Sequence, residues 1–191
     1  MFALVDGNNF YASCERIFDP SIRNVPLVVL SNNDGCAIAR SAEAKNLGIK
    51  IGQPAHELGQ FVNRHKLVMR SANFGLYGDI SARIVSILRE EAPRVEVYSI
   101  DESFLDVSGI PEVIAWAQAL RSKVHRWVGI PNCIGIGPTK TLAKLANKLA
   151  KSCSGVCFVR PDDEALASFL TEDIWGVGRR TVPKLAALNN S

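Results

Sequence analysis

The sequence predicts an α+β fold, a ferredoxin-type βαββαβ layer with an insertion after its first strand. Two observations predict it. A lone apolar strand opens the chain and, past a segment with its own turns, the periodicity runs helix, strand, strand, helix, strand. The 191 residues, 47% apolar and 21% charged, suffice for the core of one ordinary domain or two small ones. Low hydrophobicity with high net charge marks disorder, and neither is present. No stretch approaches 18 apolar residues free of charge, so no membrane helix is expected. Met1–Asp6 is too short for a signal-peptide apolar region and lacks a basic start. Five cysteines form no paired framework, and their odd number fits a reducing cytoplasm.

Each element has its own reason. Phe2–Asp6 is a short buried strand ending at an aspartate and a Gly-Asn-Asn turn. Val25–Leu30 and Cys36–Ala39 are strands joined by a polar stretch whose Asp34-Gly35 is a hairpin signal. Ser41–Leu47 is a short helix closed by Gly48. Asp79–Glu91 is amphipathic, with Ile80, Ile84, Ile87 and Leu88 on one face. Arg94–Ile100 and Ser103–Val107 are strands flanking Asp101-Glu102. Pro111–Val128 is helical, with Trp116 and Trp127 expected to pack. Cys133–Ile136 is a strand and Thr139–Ala150 a helix.

The carboxylates carry the sharpest chemistry. Asp6 ends one strand and Asp101-Glu102 joins two others, and in the proposed layer these strands are central neighbours. Three carboxylates could then converge at one sheet edge. Like charges at that spacing raise one another's pKa unless cations intervene. Oxygen-only ligands select hard ions such as Mg²⁺ or Mn²⁺. Two such ions would clamp the attacking and leaving oxygens of a phosphoryl displacement. Read alone, the same residues are better taken as a turn cap at Asp6 and a decorated loop at Asp101-Glu102.

Charge is uneven along the chain. Residues 1–120 hold 11 Lys+Arg against 14 Asp+Glu, whereas residues 121–191 hold 11 against 5. Lys140, Lys144, Lys148 and Lys151 fall on one side of the helix from Thr139, opposite Leu142, Leu145, Ala146 and Leu149. A solvated face is the ordinary fate of such a stripe. This one lacks interleaved Glu and repels itself, which a phosphate partner would relieve. Ile174-Trp-Gly-Val-Gly178 has the form of a helix-hairpin-helix turn, in which Gly176 and Gly178 let backbone N–H groups approach a DNA phosphate. An ordinary interhelical turn would look the same.

Several segments in order resemble the Y-family translesion DNA polymerases, most closely the UmuC/RulB type, the polymerase V catalytic subunit. They are Phe2-Ala-Leu-Val-Asp-Gly-Asn-Asn-Phe-Tyr-Ala-Ser-Cys-Glu15, Val29-Leu-Ser-Asn-Asn-Asp-Gly-Cys36 and Ala39-Arg-Ser-Ala-Glu-Ala-Lys45. Further on come Tyr98-Ser-Ile-Asp-Glu-Ser-Phe104, Gly135-Ile-Gly-Pro-Thr-Lys-Thr-Leu-Ala-Lys-Leu-Ala-Asn147 and Trp175-Gly-Val-Gly-Arg179. They span nearly the whole chain.

The resemblance implies a palm at 1–10 and 77–160, fingers at 11–76 and the start of a helical thumb at 161–191, with the little finger absent. It implies error-prone, two-metal nucleotidyl transfer in DNA damage tolerance, within the SOS response. Asp6, Asp101 and Glu102 would be catalytic and, with the Gly7 carbonyl, would hold two Mg²⁺ ions, for which Mn²⁺ could substitute. Tyr11 would be the sugar gate against a ribose 2′-hydroxyl, although without the motif a packing role is preferred. Lys45 and Lys151 would meet the triphosphate, and Lys140, Lys144, Lys148, Gly176 and Gly178 the DNA. A tyrosine of some relatives falls at Ala42, so its triphosphate contact is missing. The implied partners are primed or damaged DNA, a dNTP, a UmuD-type subunit, a recombinase filament and a sliding clamp, in the cytoplasm. Two other readings use the same residues: a truncated remnant that only binds DNA or a partner, and a palm-fold nucleotide cyclase.

Overall fold

The computed structural model describes residues 1–178 and 180–188, so Arg179, expected to open the second helix of the glycine hairpin, lies outside the described residues. The chain divides into two compact units. One comprises residues 1–6, 88–122 and 133–191, and the other residues 7–87 and 123–132. Of the residues expected in the palm, 7–10, 77–87 and 123–132 lie in the second unit, and the segment from 161 lies in the first. The boundaries fall within elements, at the end of the first strand, inside two long helices and after the first residue of the strand Asn132–Gly137.

The first unit is built on a five-stranded sheet. Its strands are β1 (Phe2–Gly7), β5 (Arg94–Val97), β6 (Glu102–Asp106), β7 (Asn132–Gly137) and β8 (Val156–Phe158), in the order β5-β6-β1-β7-β8. The first four have the strand order of the expected ferredoxin layer. β8, which nothing in its three residues announced, adds a parallel edge to β7 through Ile134↔Val156 and Ile136↔Phe158. Antiparallel pairing of β1 with β6 sets Leu4 opposite Phe104 and Asp6 opposite Glu102.

Helix α6 (Lys140–Ala150) starts at Thr139, whose hydroxyl accepts from the Leu142 amide. It sits very close to β7. A Cβ on Gly135 would stand 2.1 Å from the Asn147 nitrogen and 2.2 Å from the Ala143 oxygen. Buried Asn147 donates to the carbonyls of Leu4 and Cys133, at 3.1 and 2.9 Å, and so ties the helix to β1 and β7. The buried face is therefore Ala143, Leu145, Ala146, Asn147 and Ala150, with Leu142 and Leu149 only half-buried. The observed face is thus shifted from the expected Leu142, Leu145, Ala146 and Leu149 toward Asn147, whose two carbonyl partners allow its burial.

The second unit holds a three-stranded sheet, β3-β2-β4, formed by β2 (Leu27–Leu30), β3 (Ala37–Arg40) and β4 (Val68–Ser71). The predicted hairpin pairs β2 with β3 antiparallel, and β4 adds in parallel. Val28, Leu30, Ala37, Ala44, Ile49, Leu58 and Leu67 form its core. Three helices surround that sheet's sequence: α1 (Phe10–Phe18), α2 (Ala42–Asn46, capped by Ser41) and α3 (Gly59–His65). Of these only α2 was expected. The turn before α1 puts Asn9 at φ +48°, in the left-handed region that asparagine tolerates. Arg16 donates to the carbonyls of Ile22 and Val25 and to Glu43, tying α1 to the following turn and to α2.

The long helices are α4 (Phe74–Glu91), which begins five residues before its expected start, and α5 (Val113–Val128). A short α7 (Val182–Leu188) closes the described chain. Trp127 departs from its expected packing role. Its side chain is 64% exposed, and the Lys123 ammonium lies 4.5 Å from its ring centre.

Candidate active site

In the first unit, β1 delivers Asp6 directly opposite Glu102 on β6, with Asp101 one residue before that strand. The turn that carries Asp101 is held locally. Ser99 Oγ donates to Asp101 Oδ1 at 2.7 Å and accepts from the Glu102 amide at 3.0 Å, and the Tyr98 and Ser99 amides donate to the Glu102 carbonyl. All three expected carboxylates thus meet at one end of the sheet. Burial raises the pKa of Asp6 above the ordinary aspartate range. Lys151 opposes that shift, and the charges of Glu102 and Asp101 add to it.

The lysine stripe of α6 behaves differently from its expected self-repulsion, because every member meets an acid that is distant in sequence. Lys140 pairs with Glu96, Lys144 with Glu102, Lys148 with Asp173 and Lys151 with Asp6. Lys151 Nζ lies 2.7 Å from Asp6 Oδ2, and Lys144 Nζ donates to both Glu102 oxygens, at 2.9 and 3.0 Å. Asp173 is held below the ordinary carboxylate range by its bond from Lys148, with further help from the Leu170 amide. A cavity of about 240 Å³ opens between Asp6, Glu102, Lys144, Lys151, Asp173 and Trp175.

Nothing in the sequence reading singled out Glu96, Asp173, Tyr98 or Trp175 as individual site residues. Trp175 Nε1 donates to Tyr98 Oη at 3.2 Å, and both rings lie near Lys144. A stripe of lysines without local partners was the available signal that acids elsewhere must answer it. The backbone at Gly176 has φ +88°, which keeps a side chain out of the turn, and Gly178 accepts from the Thr181 amide.

As they stand, no three His, Cys, Asp or Glu side chains among the described residues are grouped to hold a metal ion. The donor set nevertheless fits a hard divalent cation, since Asp6, Asp101 and Glu102 offer only oxygen and two of them face each other in register. Lys144 and Lys151 now supply the positive charge at those oxygens.

The remaining expected residues belong to the second unit. Gly7 is buried, and a Cβ there would stand 2.9 Å from the Phe10 ring. Tyr11 stacks on Tyr77, with centroids 4.5 Å apart, and meets the edge of Phe74. Fully buried Tyr77 donates its hydroxyl to Glu15 at 2.6 Å. Lys45 is exposed in the last turn of α2 and has no ion pair among the described residues.

Residues 5–148 match the impB/mucB/samB family. The chain is 46% identical to the protein UmuC of Salmonella typhimurium strain LT2, over 98% of this chain and 47% of that protein. It is 45% identical to the protein ImpB of Salmonella typhimurium over the same shares of each, and 32% identical to DNA polymerase IV 1 of Bacillus subtilis strain 168, over 96% of this chain and 46% of that one. It therefore spans about half the length of these relatives. Among solved structures, the insertion ternary complex of Dbh DNA polymerase superposes with a TM-score of 0.86 at 28% identity, covering 98% of this chain and 58% of that one. DinB from Sulfolobus solfataricus gives 0.85 at 28% identity, covering 99% of this chain and 57% of that one.

Proposed function

The chain belongs to the impB/mucB/samB family of Y-family polymerases, and on that premise we propose that it carries the nucleotidyl-transfer site of an error-prone translesion DNA polymerase. The observation that bears most on this reading is Asp6 facing Glu102 across β1 and β6, with Asp101 beside it. Asp6, Asp101, Glu102 and the Gly7 carbonyl would hold two Mg²⁺ ions, or Mn²⁺ in their place. When bound, such ions neutralise phosphate charge and favour ionisation of the primer 3′-hydroxyl.

The chain's own residues orient and neutralise. The Ser99 turn fixes Asp101 relative to Glu102, so that two carboxylates are aimed before substrate arrives. Lys151 and Lys45 would take up triphosphate charge, a role that requires Lys151 to leave Asp6. Lys140, Lys148 and the turn at Gly176 and Gly178 would contact DNA phosphates. Attack of the primer oxygen on the α-phosphorus would expel pyrophosphate, with no covalent enzyme intermediate. Partners such as a UmuD-type subunit, a recombinase filament and a sliding clamp, and an SOS role, follow from kinship alone.

Primer extension on primed template with Mg²⁺ or Mn²⁺ tests the reading. Asp101→Asn and Glu102→Gln should each lower insertion about 100-fold or more while circular dichroism is unchanged. Comparable rates for parent and variants would remove the assignment. A chain that binds primed DNA but inserts nothing would be a binding remnant.

A further inference from the structure

Lys144 stands apart from the other three lysines of the stripe, Lys140, Lys148 and Lys151. Its ammonium donates to both oxygens of Glu102, and the two side chains are only 21% and 20% exposed. It also lies over three aromatic rings, 4.6 Å from the centre of Tyr98, 5.4 Å from Trp175 and 5.9 Å from Phe104. These rings brace one another. Tyr98 and Trp175 meet edge to face at 5.4 Å with the indole N–H on the phenol oxygen, and Phe104 lies 5.7 Å from each. Ring faces attract a cation without any carboxylate. Lys144 would therefore stay stabilised if Glu102 turned away from it.

Resting on the reading of Glu102 as a metal ligand, we propose that Lys144 is a positioning residue: it holds Glu102 as a counter-ion until a divalent cation displaces it, and the box of Tyr98, Phe104 and Trp175 retains the displaced ammonium. Cation entry is then an exchange of charges. The carboxylate never faces Asp6 and Asp101 without a positive partner, and repulsion does not swing it out of register. The cost is weaker cation binding, because each cation must compete with Lys144.

The test is Mn²⁺ binding to the whole chain without DNA or nucleotide. Free Mn²⁺ is read by electron paramagnetic resonance, and Trp175 by the emission difference between the parent and Trp175→Phe. The parent should bind Mn²⁺ with a change in Trp175 emission, and Glu102→Gln should abolish that change. Lys144→Met should bind about tenfold tighter, the effect of removing one close competing charge. Lys144→Arg keeps the charge and should restore affinity to the parent's level or below it. Near-ultraviolet circular dichroism checks the fold, with Lys144→Gln as a second neutral variant expected to behave like Lys144→Met. Neutral variants that bind no tighter than the parent overturn the proposal. So does Mn²⁺ saturation that leaves Trp175 emission unchanged, or the absence of Glu102-dependent binding. Primer extension is scored separately. A parent that shows the exchange but extends nothing loses the polymerase reading and keeps this one, whereas extension with unchanged affinity in Lys144→Met does the reverse.

Discussion

Tyr11 is packed as a rigid wall, the property that the sugar-gate role proposed for it would need. It lies nearly parallel to Tyr77, with an interplanar angle of 16°, and is braced by the edge of Phe74. Tyr77 in turn is fully buried, and burial together with its bond to Glu15 pushes its phenol pKa up, so it remains a neutral donor. Such a wall cannot move aside at little cost, as rejection of an added hydroxyl requires. In the proposed polymerase, Tyr11→Ala should raise ribonucleotide use relative to deoxyribonucleotide use by roughly 100-fold. Single-nucleotide insertion assays measure that ratio, and Tyr11→Phe should leave it unchanged. A lowered Tm with an unaltered ratio would make Tyr11 a packing residue alone. The motif placed Tyr11 in the sequence; its stack on Tyr77, 66 positions on, has no local signature.

At the scale of elements, the approach of α6 to β7 decides where the lysines stand. A methyl group at Gly135 would meet backbone of Asn147 and Ala143 rather than the end of a flexible side chain. Gly135→Ala should therefore destabilise by about 3 kcal/mol, lowering Tm by about 6–12 °C in thermal melts. Gly78 in α4 is the control. A Cβ there meets nothing within 4 Å, so Gly78→Ala should leave Tm unchanged or raise it slightly. Equal melts for both alanines would remove the close-approach argument. Gly48 was legible as a stop because it stands just past the helix it closes, whereas Ser41 and Thr139, read as the first helical residues, are the N-caps of α2 and α6. By contrast, β4 and β8 are short parallel strands, and what makes them strands is a partner supplied by another part of the chain.

Across the whole molecule, the excess of basic residues after position 120 is less free than the count implied. Four acids already neutralise the α6 stripe, and two of them are the candidate catalytic carboxylates. The proposed DNA binding would then exchange internal pairs for phosphate contacts. With three to five contacts and a slope of about −0.9 per phosphate, a fourfold rise in salt should weaken binding to primed DNA by roughly 40- to 500-fold. Lys148, with its side chain 56% exposed, is the most open of the stripe. Lys148→Ala should reduce the slope by about 0.9 without altering sequence preference. Fluorescence anisotropy at several salt concentrations measures both, and a flat salt dependence would remove the stripe as a DNA contact.

The sequence by itself determined the local features of this protein. An apolar run stopped by Asp6, a hairpin around Asp34-Gly35, a helix closed by Gly48, and the alternation of strand and helix followed from period and turn chemistry within a few residues. The ferredoxin order of β5-β6-β1-β7 was legible for the same reason, since few topologies satisfy that alternation. Only the tertiary structure decided which charges meet. Lys151 reaches Asp6 across 145 positions, Lys144 reaches Glu102 across 42, and Trp175 reaches Tyr98 across 77. It also exposed Trp127 and buried Asn147, against the habits of both residue types. Periodicity records how a residue relates to its own helix or strand. Which distant side chain stands opposite, and whether it offers a carbonyl, a carboxylate or open water, is set by how the elements pack.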